Sequence, residues 1–246
     1  MKERENKIGS DGEIAVNNRF LAWLDNFWYH YKWPVIVAAF FLLTALVCFV
    51  QCSSKETGDL TVAYAGGYTL TAEEHDKIID VIEAVAPADG DGEKLSVMLT
   101  AYSIYTDAEM KSAYTDENGE LSFYGYNNAK QVSIDHFNTF KTYLQTGESA
   151  VWFVSEYVYR DCGLNFAHIA RPLSELYETA PEAAYDEYAV RLSETALYRH
   201  FDALKVLPED TLILLPKSYV WGESADEESY AQFEALFRAI VDFQPK

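Results

Sequence analysis

Apolar and polar positions along this chain follow two regimes. From Pro34 to Val50 the run PVIVAAFFLLTALVCFV carries no charge and one hydroxyl, Thr44. Seventeen helical residues reach roughly 25 Å, slightly under a hydrocarbon core of about 30 Å. Trp33 extends the run with an aromatic ring suited to headgroup level. Pro34 fits the first turn of such a helix, where its missing N–H costs nothing. Upstream, Phe20, Trp23, Leu24, Phe27, Trp28 and Tyr31 recur at i, i+3, i+4, i+7, i+8 and i+11. This is one stripe of an amphipathic helix, read as lying in the interface beside the span or as a docking face for a membrane partner.

Beyond a polar linker at 51–58 the pattern alternates between periods of two and of 3.6. Leu60–Tyr64 reads as a strand ending at Gly66-Gly67. Thr71 and Glu74 form a capping box before a helix to about Ala86, with Ile78, Ile79, Ile82, Val85 and Ala86 inward. Pro87 and the turn Asp89-Gly-Asp-Gly92 stop it, and Leu95–Ile104 is the next strand. Asn118-Gly119 signals a hairpin, with a short strand at Leu121–Tyr126. Ser133 caps a second helix with Phe137, Phe140 and Leu144 inward, and Gly147 closes it. Strands follow at Ala150–Val154, Ala189–Leu192 and Thr211–Leu215. Helices are expected at Glu156–Cys162, Glu194–Lys205 and Asp226–Phe243, whereas Leu173–Tyr188 shows no clear period. The fold class is therefore α/β, a single transmembrane helix followed by a mixed, largely parallel sheet covered by helices. The expected organisation is a cytoplasmic tail at 1–33, the span at 34–50, the linker, and one extracytoplasmic domain at 59–246.

Charge gives the span a direction. Lys2, Arg4, Lys7, Arg19 and Lys32 precede it, and only Lys55 lies in the twenty residues after it. The positive-inside bias places the N-terminus in the cytoplasm. The net charge of −20 belongs entirely to residues 51–246, which hold 14 of the 19 basic and 34 of the 39 acidic residues. Such a balance excludes nucleic acid, whose phosphates need a concentrated basic surface. A cleaved signal peptide is disfavoured, because 33 residues precede the apolar run and Val50-Gln51-Cys52 offers no Ala-x-Ala. The lipoprotein alternative would start the mature chain at a lipidated Cys52, but Gln51 stands where a small residue is wanted. An uncleaved signal-anchor is expected.

Candidate chemistry is sparse. Aligned with a calcium loop, Asp89-Gly-Asp-Gly-Glu93 puts Pro87 and Met98 at ligand positions, so the segment reads as an acidic turn. No histidine pair has zinc spacing. His75 sits at a core edge, His136 and His200 read as solvated helix positions, and His168 is unassigned. Cys48, Cys52 and Cys162 do not form a disulfide framework. Ser155 follows a strand but lacks the flanking glycines of a nucleophile elbow, and reads as a helix N-cap. Gly66-Gly67 lacks phosphate-loop spacing. No metal, cofactor or catalytic residue is expected. Sixteen tyrosines fall outside the membrane, and Tyr102/Tyr105, Tyr124/Tyr126 and Tyr157/Tyr159 either fill core edges or display rings for binding.

The cluster Phe27-Trp-Tyr-His-Tyr-Lys-Trp33 resembles the juxtamembrane stretch of uncharacterised single-pass membrane proteins of Gram-positive anaerobes. Asp59-Leu-Thr-Val-Ala-Tyr-Ala-Gly66, Gly147-Glu-Ser-Ala-Val-Trp-Phe-Val154 and Val190-Arg-Leu-Ser-Glu-Thr195 are similar to segments of the same proteins. The alternation also resembles part of a type 2 periplasmic solute-binding fold. The resemblance implies no known activity. The expected function is a membrane-anchored binding or interaction domain in contact with the lipid bilayer and with an envelope protein or small ligand as partner. The alternative is an anchored envelope hydrolase.

Overall fold

The computed structural model describes residues 19–53, 59–88, 92, 94–146, 149–217 and 227–245. They form two compact units, Met1–Glu56 and Thr57–Lys246. In the first, helix α1 (Arg19–Ser53) runs unbroken for 35 residues, about 52 Å at helical rise. Its segment Asn26–Phe49 contains an 18-residue stretch of mean hydropathy 2.1 and is long and apolar enough to cross a membrane. Pro34 stands inside this helix and not in a first turn. Its fixed φ already matches the helix, so continuity costs one hydrogen bond and some crowding at the preceding turn. Thr44 donates its hydroxyl to the Phe40 carbonyl at 2.9 Å, which satisfies the one polar side chain of the apolar run.

The second unit is α/β. Its sheet contains β1 (Leu60–Gly66), β2 (Val97–Ser103), β3 (Val151–Ser155), β4 (Ala189–Arg191) and β5 (Thr211–Leu214) in the order β2-β1-β3-β5-β4. β1 pairs in parallel with β2 and β3, while β5 is antiparallel to both β3 and β4. Four strands thus point one way, and β5 alone reverses. β1 and β3 are buried along their whole length, which explains why they read as unbroken apolar runs.

Strand alternation sends side chains into two cores. On one face, Leu60, Val62, Tyr64, Val151, Phe153 and Ile213 meet α2 (Ala72–Val85) and the C-terminal helix α8 (Glu227–Val241). Thr71 caps α2 through the expected box with Glu74. α8 buries Phe233, Leu236, Phe237 and Ile240, a spacing of three and four. On the other face, Ala63, Ala65, Trp152, Val154, Leu212 and Leu214 meet α4 (Phe123–Thr146), α5 (Glu156–Arg160) and α6 (Phe166–Ile169).

Four local expectations are corrected. Leu121–Tyr126 is not a strand: Thr115 and Leu121 form one isolated bridge, and α4 begins at Phe123. Ser133 is therefore an interior residue of α4 and not its cap. Helix α3 (Asp107–Ala113) occupies ground read as merely polar, although Thr106 and Glu109 repeat the capping box of α2. Glu194–Lys205 splits into α7 (Ala196–His200) and a 3-10 turn at Asp202–Val206. Leu173–Glu175 is also 3-10. The turn residues Asp89, Gly90, Asp91 and Glu93, the helix stop Gly147 and the helix start Asp226 lie outside the described residues.

Candidate functional site

The carboxyl ends of β1, β2 and β3 open onto one edge of the sheet. The helices that follow β1 and β3 lie on opposite faces, so the connections reverse between these neighbouring strands. Ligands of open α/β sheets gather at such a switch point, beyond the strand ends.

Close backbone approach shapes the first exit. A Cβ on Gly66 would come within 2.6 Å of the Tyr64 hydroxyl, and that hydroxyl accepts the Tyr68 N–H at 3.3 Å. Burial drives the Tyr64 hydroxyl well above its ordinary pKa, so it stays protonated. Thr69 then ties the β1 exit to the β2 exit through Ser103 Oγ at 2.8 Å and the Tyr105 hydroxyl.

α4 secures the β2 exit from the outer edge of the sheet. Ser103 N–H donates to His136 Nδ1 at 3.0 Å, and Tyr105 N–H donates to Ser133 Oγ at 3.0 Å. His136 is thus no solvated surface residue; accepting at Nδ1 requires its proton on Nε2. On the same strand His75 Nε2 reaches the Leu99 carbonyl at 2.8 Å, and Glu83 accepts the Val97 N–H at 2.8 Å. Side chains of two helices therefore occupy backbone groups of an edge strand that would otherwise be open to another chain.

At the β3 exit Ser155 caps α5, its Oγ accepting the Val158 N–H at 3.3 Å. Tyr157 and Cys162 follow. Burial pushes the Cys162 thiol up, while the adjoining Tyr157 hydroxyl acts in the opposite sense. Gly163, at φ +72°, turns the chain away in a conformation that favours glycine.

Between these exits and α4 lies a cavity of about 470 Å³, lined by Ile104, Tyr105, Asp107, Met110, Lys130, Ser133, Ile134, Phe137, Tyr157 and Cys162. A smaller hollow of about 240 Å³ shares Tyr105 and Met110 and continues to Gly67, Glu109 and Tyr114. Ile104, Met110, Ile134 and Phe137 make the lining partly apolar, and Tyr105, Asp107, Lys130, Ser133 and Tyr157 bring polar groups to it. The Asp107 carboxylate is held below its ordinary pKa by Lys111, whose Nζ lies 2.6 Å away, and by the Tyr126 hydroxyl. Glu109 Oε2 accepts the Thr106 N–H at 2.7 Å and its hydroxyl at 2.8 Å. Lys130 Nζ lies 5.8 Å from the centre of the Tyr126 ring.

The tyrosine pairs divide. Tyr102 is buried against Phe140 and Tyr143, and burial raises its hydroxyl to about 12. Tyr105 and Tyr157 line the cavity instead, and Tyr124 is exposed on α4. Tyr159 stacks on Phe166 within the second core. The residues expected to anchor the chain and to lie in the interface all fall in α1. Trp33 and Pro34 are exposed there, and Val50 lies near its end. Trp23, Phe27 and Tyr31 stack in sequence, with ring centres 5.5 and 5.1 Å apart, and Trp28 is exposed. Phe20 and Leu24 belong to the same helix, but their side chains lie outside the described ones.

Among the described residues no group of three or more His, Cys, Asp or Glu could hold a metal ion. Compared with known proteins, the chain matches no family model, and no curated protein or solved structure is significantly similar to it.

Proposed function

We propose that this is a membrane-anchored binding protein, its α/β unit outside the cell membrane, its N-terminus cytoplasmic, and its ligand a small molecule held in the Tyr105–Phe137 cavity. The observation that carries the reading is the position of that cavity. It adjoins the carboxyl ends of β2 and β3, the strands that flank β1, near the reversal of connections, and its volume falls in the range of about 300–1,000 Å³ usual for small-molecule sites. The sidedness is supported by the basic residues ahead of the apolar helix. Helices on both faces of a mostly parallel sheet support the resemblance to part of a type 2 solute-binding fold. The hydrolase alternative gains nothing from Ser155, whose Oγ is engaged by its own helix.

Saturation-transfer NMR on the full chain in nanodiscs, against a library of fragments small enough for the cavity, tests this reading. Ile134→Trp, which projects a large ring from the cavity wall, is the control. Fragments that bind the parent chain and not the variant support the reading. No binding, or equal binding to both, contradicts it, and turnover of any fragment would favour the hydrolase.

A further inference from the structure

The charges around the cavity are not equally available. Asp107 is engaged by Lys111 and Tyr126, and the Glu109 oxygen Oε2 by two groups of Thr106. The Asp107 charge is already matched by Lys111, and Glu109 lines only the smaller hollow beside the cavity. Lys130 is the converse case. Among the described residues no carboxylate lies within 4.0 Å of its Nζ, which packs over the Tyr126 ring. Asp107 attracts it at longer range but is already paired with Lys111, so beyond residue 50, where 34 acidic residues face 14 basic ones, the Lys130 ammonium at this cavity has no close ion pair of its own. Lys94, Lys141 and Lys217 also lack such a partner, but none of them lines this cavity.

A neighbouring hydroxyl has the same polarity. Ser133 is buried, and its Oγ already accepts the Tyr105 N–H, so its own proton is available to an acceptor. The Tyr157 hydroxyl, its pKa raised by burial and by the neighbouring Cys162, is engaged with the Cys162 sulfur. Ile104, Met110, Ile134 and Phe137 supply apolar lining beside these donors.

Resting on the ligand-binding reading above, we infer that the cavity takes a small amphipathic monoanion, its carboxylate on Lys130 and Ser133 and its apolar body against Met110 and Phe137. A charge-assisted contact to an ammonium orients such a ligand, and the apolar wall supplies most of the remaining affinity.

Cys162 lines the same cavity and supplies the readout. The full chain is placed in nanodiscs of zwitterionic lipid with Cys48→Ser and Cys52→Ser, leaving Cys162 as the sole thiol. Its rate of reaction with a disulfide reagent is measured against 3-phenylpropionate, the neutral 3-phenylpropanamide and 3-phenylpropylamine. The acid is expected to protect best. Lys130→Ala should raise its half-protecting concentration at least about tenfold, the scale of a lost charge-assisted bond, with the amide unchanged and Lys130→Arg close to the parent. Equal protection by amide or amine, or an unchanged acid response in Lys130→Ala, overturns the anion assignment while leaving the cavity a ligand site. Protection by none of the three overturns both.

Discussion

Truncation of Phe140 to alanine probes the contact that holds α4, one wall of the cavity, on the sheet. Phe140 is 0% exposed, and its ring centre lies 5.4 Å from that of Tyr102 on β2. Six ring carbons would be removed from a site closed on all sides. Losses of this kind cost about 3–5 kcal/mol, a share of about 0.5–1.5 kcal/mol belonging to the ring pair. For a unit of roughly 190 residues, a urea dependence of about 2 kcal/mol per molar turns that cost into a midpoint lower by about 1.5–2.5 M. Pulse proteolysis of the full chain in nanodiscs across a urea series reads the midpoint of the α/β unit. Phe123→Ala is the internal control. It changes the same residue type on the same helix, at 71% exposure, and should stay within about 0.5 kcal/mol of the parent. A Phe140→Ala shift under about 0.5 M, or an equal shift in Phe123→Ala, would refute the packing of α4 described above.

Four further outcomes are expected. Thr106→Ala removes one half of the α3 capping box and should cost about 0.5–2 kcal/mol in the same proteolysis assay; no change would show that the box does not hold α3. Gly163→Ala forces a side chain into φ +72° and should cost about 1 kcal/mol; a stabilised variant would contradict that backbone. The third concerns Asp59, whose carboxylate accepts the Ser96 N–H at 2.9 Å and the Ser96 hydroxyl at 2.8 Å, bonds that lower its pKa. A depressed folded pKa contributes stability present above the unfolded value of about 3.9 and lost as pH falls through the folded one. The midpoint difference between parent and Asp59→Asn should therefore be steady from pH 7 to 5 and shrink below about pH 4; growth of that difference on acidification would contradict the sign. Finally, intact-mass analysis of the membrane-extracted protein should show no lipidated product beginning at Cys52, and its detection would replace the uncleaved anchor.

Much of the fold was legible because burial dictated composition. β1 and β3 are buried on both faces, so mostly apolar residues fill them, and the runs LTVAY and AVWFV announce themselves. Thr71/Glu74 and Ser155 carry their helix starts in their own side chains. The region from 106 to 133 resisted the same reading for physical reasons. α4 has few buried positions along 24 residues, so its first turns show no helical stripe, and Asn118-Gly119 supplied a competing hairpin signal. The Thr106/Glu109 box was present but stood before a helix of seven residues with one buried side chain, Met110. The cavity was less legible still. Its residues come from the β2 exit, α3, α4 and the turn after β3, separated by up to 58 positions and joined only by the parallel crossover. Lys130 and Ser133 gain their roles from what surrounds them in space, which no local pattern records.

The central claim, an outward-facing unit with a ligand cavity, is tested most directly by sided labelling of Cys162. In intact cells producing the chain with Cys162 as its sole thiol, a membrane-impermeant maleimide should label it without permeabilisation, and 3-phenylpropionate should slow that labelling to a saturable limit. Labelling that appears only after the membrane is opened, or that proceeds at the same rate at every concentration of the acid, would contradict the account.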